Sequence, residues 1–278
     1  MSPSVDIRGR TRHLRSGPAA AIRRHPIGSH LALTFALSWA YWVPLALAGG
    51  QGSHVPGLLG PGLAALVVSA IAQGRAGPRN LAARMVRWRV PLRWYLVALA
   101  PLLAGAVGLS VVVVVDPSSL RLAGLGRFPG LPEVGWVGVF LLVLLLNGFG
   151  EEVGWRGFLW PRLRRDHSLA GAAGLLTLPW ALWHLPTFWL DTGMDLDPLV
   201  LPGWLIGLAA GAVVLGWLYE HTGSLLLVAL FHASLNMVSA TDVGVLPAAL
   251  TSAGVIVAAI LLLRRGANPG AHDRGRER

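Results

Sequence analysis

The sequence predicts an all-α, polytopic integral membrane bundle of about eight transmembrane helices, and three observations carry that prediction. Apolar residues make up 54% of the 278-residue chain and charged residues 13%, where a soluble domain carries about a quarter charged. Arginines crowd a few short segments, and the stretches of about twenty residues between them hold almost no charge. Charges or Gly/Pro turns bound each apolar run, as they do where a chain threads a bilayer.

Taken in order, the runs are 29–49, 55–73, 92–115, 136–163, 169–190, 199–219, 223–240 and 245–263. The first follows a basic tail (Arg8, Arg10, Arg12, Arg15, Arg23, Arg24) and ends in Ala46-Leu47-Ala48, which resembles a signal-peptidase site. Its apolar stretch is longer than a signal core, so it reads as an uncleaved anchor. Tails at 1–28 and 264–278 flank a bundle over 29–263, and no soluble domain or internal repeat stands out. The sixth run carries Gly207-x-x-x-Gly211, a spacing that permits close helix packing. Trp160 and Trp189 read either as anchors at the membrane interface or as packing between helices.

The net charge is +10, and all 23 basic residues are Arg. That composition hints at a GC-rich, bacterial source. These arginines sit at segment ends, where anionic headgroups and insertion topology account for them, so nucleic acid is not an expected partner. With an even number of spans, the tails and the loops bearing Arg75, Arg79, Arg84, Arg87, Arg89, Arg164 and Arg165 share one side. The opposite side holds Arg121 and Arg127 and the acidic stretch Asp191, Asp195, Asp197. The positive-inside rule then puts both termini in the cytoplasm of a multi-pass cell-membrane protein. The absence of cysteine excludes disulfides, thiolate metal sites and a cysteine nucleophile.

Charge inside a span costs several kcal/mol, so a residue that persists there is a candidate for function. Three spans carry such residues: Asn147-Gly-Phe-Gly-Glu151-Glu152-Val-Gly-Trp-Arg156-Gly in the fourth, Trp180-x-x-x-His184-Leu-Pro186 in the fifth, and Phe231-His232-Ala-Ser-Leu-Asn236 in the seventh. At a rise of about 1.5 Å per residue, Glu151 and Glu152 lie roughly 20 Å along their span, His184 roughly 22 Å, and His232 and Asn236 roughly 15 to 21 Å. These depths coincide. Glu152 and Arg156 form an i,i+4 pair in the favoured acid-before-base order, which reads either as a buried structural pair or as part of the chemistry. That pairing leaves Glu151 unpaired, about 100° around the helix and desolvated, as a general base requires. His232 and Asn236 project from one face. Gly148, Gly150, Gly154 and Gly157 remove bulk beside the acids.

The three motifs, Glu151-Glu152-x-x-x-Arg156, Trp180-x-x-x-His184 and His232-x-x-x-Asn236, resemble in order and placement the pattern of the CPBP intramembrane proteases. This group is also known as the Abi or type II CAAX-prenyl endopeptidase family. The resemblance covers about 140–240, the catalytic half. Trp180 departs from the family's usual Phe, an exchange of one aromatic for another. The resemblance implies an intramembrane endopeptidase acting on a membrane peptide or protein substrate. In it, Glu151 and His184 activate a water, His232 and Asn236 hold the oxyanion, and Glu152 and Arg156 brace the site. No cofactor is needed in that scheme. The family's alternative is metal-dependent, with Glu151, His184 and His232 as ligands of zinc or another divalent ion. A proton-coupled transporter is the rival class, since a buried relay of Glu, Arg and His would serve it equally. Ser234 and Ser224 lack the setting of a serine protease.

Overall fold

A computed structural model describes residues 17–115, 118, 124, 126–192, 194, 196–240 and 245–267. Among these every regular element is helical. Most of the basic tail 1–28, with Arg8 to Arg15, and most of the tail 264–278 lie outside the described residues, as do Arg121 and Asp195.

A short helix α1 (Pro18–Arg24) leads into α2 (Pro26–Leu47). Then follow α3 (Val55–Gln73), α4 (Ala76–Met85), α5 (Leu92–Val115), α6 (Gly135–Leu163), α7 (Leu169–Trp183), α8 (Leu201–Thr222), α9 (Leu225–Ala240) and α10 (Val245–Ala267). Six of these, α2, α3, α5, α6, α8 and α10, are long and apolar enough to cross a membrane. The other two expected spans are shorter than their apolar runs: α7 has 15 residues and α9 has 16. At about 1.5 Å per residue they reach roughly 22–24 Å, less than the ~30 Å hydrocarbon core. Helix α9 carries His232 and α7 ends against His184, so the two candidate histidines belong to the short helices of the bundle, while the candidate acids lie on the long α6.

The termini of α7 have local causes. Ser168 caps its start, its hydroxyl accepting from the Gly171 amide at 3.1 Å. Helix α7 passes through Pro179, but a second proline, Pro186, lacks an N–H and crowds the carbonyl four residues back, which disfavours continuing the helix past Trp183. The α-helix therefore stops at Trp183 and a 3-10 turn spans Leu185–Trp189. His184 is the resulting C-cap rather than a mid-helix residue. The end of α7 is tied to α2, since the Trp183 indole donates to Ser38 Oγ at 2.8 Å and the Trp39 indole donates to the Trp183 carbonyl at 3.1 Å.

Helix α6 is not uniform. π-helical turns occupy Leu144–Phe149 and Trp155–Leu159, and between them lies a five-residue α segment, Gly150–Gly154. Such turns are rare and concentrate at functional sites. They leave backbone carbonyls for other partners: His30 Nε2–H on α2 donates to the Gly154 carbonyl at 3.3 Å, and Arg84 donates to the Gly157 carbonyl at 3.1 Å. Neighbouring backbones come close here. A Cβ on Gly154 would lie 2.5 Å from the Pro61 carbonyl oxygen, and one on Gly148 would lie 2.9 Å from that of Ala229.

The outside of the bundle is apolar, with Leu47, Val114, Leu199 and Val245 exposed, and its interior is a mainly apolar core around Trp42, Trp155 and Trp183 that also encloses the fully buried polar residues His30, Thr34, Ser38, Glu152 and Arg156. Two readings need correction. Trp160 is not an interfacial anchor: it is buried, with its indole donating to Glu220 Oε1 at 3.0 Å, while Trp189 is exposed. The Gly207-x-x-x-Gly211 spacing does not mark a tight helix crossing, since nothing lies within 4 Å of where either Cβ would stand. Gly154→Ala is accordingly expected to cost about 1–3 kcal/mol through overpacking, read as a lower thermal midpoint in detergent. Gly207→Ala is expected to leave that midpoint unchanged.

Candidate active site

The α segment between the two π turns presents two carboxylates. Glu152 is fully buried, and its Oε1 accepts from Arg156 Nη1 at 2.9 Å and from His232 Nδ1–H of α9 at 2.7 Å. The expected i,i+4 pair is thus present, with His232 joined to it as a third member. Glu151, 2% exposed, is not unpaired as the spacing suggested: its Oε2 accepts from the Trp180 indole N–H of α7 at 2.8 Å. A phenylalanine at position 180 has no such donor, so the exchange of one aromatic for another has a chemical consequence.

Trp180 is the meeting point of the three helices. The Arg156 guanidinium lies 4.3 Å from its ring centroid, the His232 ring stands edge-on at 5.9 Å, and the His184 ring lies at 6.1 Å. The Trp180 carbonyl accepts from His184 Nδ1–H at 2.8 Å. His184 is partly buried, with Trp183 and Trp204 against its ring. Asn236 stands one helical turn beyond His232 on α9 and is partly buried. The structure therefore links Glu151, Glu152, Arg156, His184 and His232 through one indole and one shared carboxylate, and leaves Asn236 as a neighbour of that cluster.

These bonds fix which ring nitrogens hold protons. A carbonyl oxygen and a carboxylate only accept, so Nδ1 of His184 and Nδ1 of His232 are both protonated, and in each ring Nε2 is the nitrogen free for chemistry. Nε2 of a neutral His184 is an acceptor. Nε2 of His232 is an acceptor in the neutral ring and a donor in the imidazolium.

Several buried polar atoms here have no protein partner: Glu152 Oε2, Arg156 Nε and Nη2, and Asn147 Oδ1. Buried polar atoms are satisfied by protein or by ordered water, so this cluster calls for water inside the bundle. Among the described residues no group of three or more His, Cys, Asp or Glu side chains is placed to hold a metal ion. Glu151 and His184 are both bonded to Trp180, through its indole and its carbonyl, and His232 is bonded to Glu152.

Two further polar residues lie in this region without a role assigned from sequence. Asn147, at the head of the fourth-span motif, is buried in the first π turn, one turn before Glu151. His54, in the loop before α3, is buried beside Phe128 and close enough to His184 to interact with it electrostatically. Burial holds the His54 imidazole down to about 4 against the pull of Asp191, so it is neutral near pH 7. Outside the cluster, His167 and His221 are exposed, and Glu220 pairs with Arg164 at 2.5 Å.

Fold and site define a helical membrane protein with a carboxylate and histidine centre inside the bundle. Residues 133–238 match the family model described as Type II CAAX prenyl endopeptidase Rce1-like. The chain is also similar to CAAX prenyl protease 2 of Methanococcus maripaludis, with 26% identity over 103 residues, 35% of this chain and 38% of that protein. The matched stretch spans well under half the length of either. The matched segment runs from α6 into α9 and includes all three motifs, and through it the chain is similar to the CPBP/CAAX proteases.

Removing Arg156 would leave Glu152 buried with one partner fewer. Arg156→Met is expected to cost about 3–5 kcal/mol of stability, measured as a depressed thermal midpoint in detergent. The double variant Arg156→Met/Glu152→Gln is expected to recover part of that loss.

Proposed function

We propose that this chain is an intramembrane endopeptidase that hydrolyses a peptide bond of a membrane peptide or protein with a water activated by Glu151 and His184. The observation that carries this reading is the convergence of α6, α7 and α9 on Trp180. It gathers groups that are costly in hydrocarbon, Glu151, Glu152, Arg156, His184 and His232, into one cluster around the Trp180 indole.

In this scheme the Glu151 carboxylate takes a proton from water as the water oxygen attacks the scissile carbonyl. The free Nε2 of His184 orients that water. Negative charge develops on the former carbonyl oxygen. It is met by Nε2–H of a protonated His232 and by the Asn236 amide, in a site where preorganised donors act at low dielectric. Glu151 then delivers its proton to the leaving amide nitrogen as the C–N bond breaks. Glu152 holds His232 in its protonated form and is itself held by Arg156. The arginine-rich end of the bundle, with Arg75, Arg84, Arg164 and Arg265, is placed in the cytoplasm.

The test uses purified protein in detergent with two probes, a farnesylated CAAX peptide and an unprenylated transmembrane peptide, each internally quenched. Glu151→Gln is expected to lower kcat by about 10²–10⁴, and His232→Ala by about 10²–10³. A zinc chelator is expected to leave the rate unchanged. Solute flux in liposomes without cleavage of either probe would overturn the assignment.

The same scheme sets the pH profile of kcat/KM. Glu151 must be ionised, so activity rises as pH climbs through its ionisation. His232 must be protonated, so activity falls as pH rises further through the loss of its proton. A bell-shaped profile is expected, with the alkaline limb abolished in His232→Gln.

A further inference from the structure

Trp180 touches more of the cluster than any motif residue does, and it does so through three different parts of itself. Its indole N–H is the hydrogen-bond donor to Glu151, at 2.8 Å. Its backbone carbonyl holds Nδ1–H of His184 at 2.8 Å, and its ring face carries the Arg156 guanidinium at 4.3 Å. The backbone bond would survive any side-chain exchange at this position, and an aromatic ring of any kind would keep much of the packing against Arg156. The bond to Glu151 would not survive, because phenylalanine offers no donor there.

We infer that the Trp180 indole N–H is a positioning device for Glu151, holding one carboxylate oxygen so that the other is directed at the water. The inference rests on the reading of Glu151 as the base. The terminal torsion of a glutamate side chain is broad, so packing of its stem on the α segment Gly150–Gly154 leaves the direction of the carboxylate open. One directed bond to Oε2 removes that freedom and leaves Oε1 as the proton acceptor. The same bond stabilises the ionised form, because a donor to a carboxylate favours the charged state. The indole thus does two things for a base buried among tryptophans: it sets the direction of the acceptor and keeps the carboxylate ionised at lower pH than burial alone would permit. The ring stacked on Arg156 keeps the indole in place, since the guanidinium is itself bonded to Glu152.

The experiment compares wild type, Trp180→Phe and Glu151→Gln in detergent, with kcat, KM and the pH profile measured on whichever of the two quenched peptides wild type cleaves. Trp180→Phe is expected to lower kcat by about 10–100-fold with KM nearly unchanged. The acid limb of its profile is expected to move up by about one pH unit, the size set by losing one hydrogen bond to a charged group. A merely structural tryptophan would alter stability and leave that limb in place. A readout independent of cleavage accompanies it: the infrared carboxyl band of Glu151, assigned by its loss in Glu151→Gln, is titrated in both proteins. It is expected to titrate about one unit higher in Trp180→Phe. If Trp180→Phe does not fold, β-(3-benzothienyl)alanine inserted at position 180 keeps the ring shape without the N–H and is expected to give the same shifts. An unchanged limb and an unchanged band would overturn the positioning role while leaving Glu151 as the base. Equal cleavage by Glu151→Gln and wild type would overturn the reading of Glu151 itself, whatever the band does.

Discussion

The Glu152 carboxylate, fully buried and shared between Arg156 and His232, is the interaction on which the rest of the structure depends. A charge in the interior of a membrane bundle is tolerated only when paired, and a pair within one helix would be sufficient for that alone. Recruiting His232 from α9 as a second donor to the same oxygen does something more, because it locks two helices at one level and gives the histidine a defined tautomer. Arg156 then reaches the Trp180 ring, which brings α7 into the same cluster. Three helices are thereby held in register by polar contacts that apolar packing against lipid does not supply.

The consequence for chemistry lies in the histidines. Each is held through Nδ1 by an acceptor that cannot donate, one a backbone carbonyl and the other a carboxylate, so their free Nε2 atoms differ in character. In the proposed reaction the carbonyl-bound ring serves as an acceptor and the carboxylate-bound ring as a donor, a division set by what stands behind each ring. The supporting layer is built the same way. His30, Thr34 and Ser38 on α2 bond to the Gly154 carbonyl, to His30 Nδ1 and to the Gly57 carbonyl, so the polar stripe of α2 holds the backbone of α6 and the N-terminal end of α3 in place.

Much of this was legible in the sequence. Charge segregation and apolar length determined the bundle, and the expense of intramembrane Glu, Arg and His singled out the residues that meet at Trp180. Spacing alone recovered the Glu152–Arg156 pair, because i,i+4 geometry is local. What spacing could not recover was non-local or depended on broken helical geometry. Two π turns in α6 alter the phase on which face arguments rest, and nothing in Leu144–Phe149 signals them except the surrounding glycines. Pro186 did signal the early end of α7, although the apolar run to residue 190 outweighed it. Trp180 and Trp160 were read by ring character, whereas in both the indole N–H to a glutamate decides the position. His54 lies in a loop some 130 residues before His184, and only the folded chain brings them near.

The central claim is that Glu151 acts on water and not on the substrate carbonyl itself. A single turnover of the purified enzyme in ¹⁸O-enriched water, followed by mass spectrometry of the product and of the peptide containing Glu151, tests it most directly. The account predicts one ¹⁸O atom in the new product carboxylate and none in Glu151. An unlabelled product together with ¹⁸O in the Glu151 carboxylate would mean that the side chain attacked first, and would contradict it.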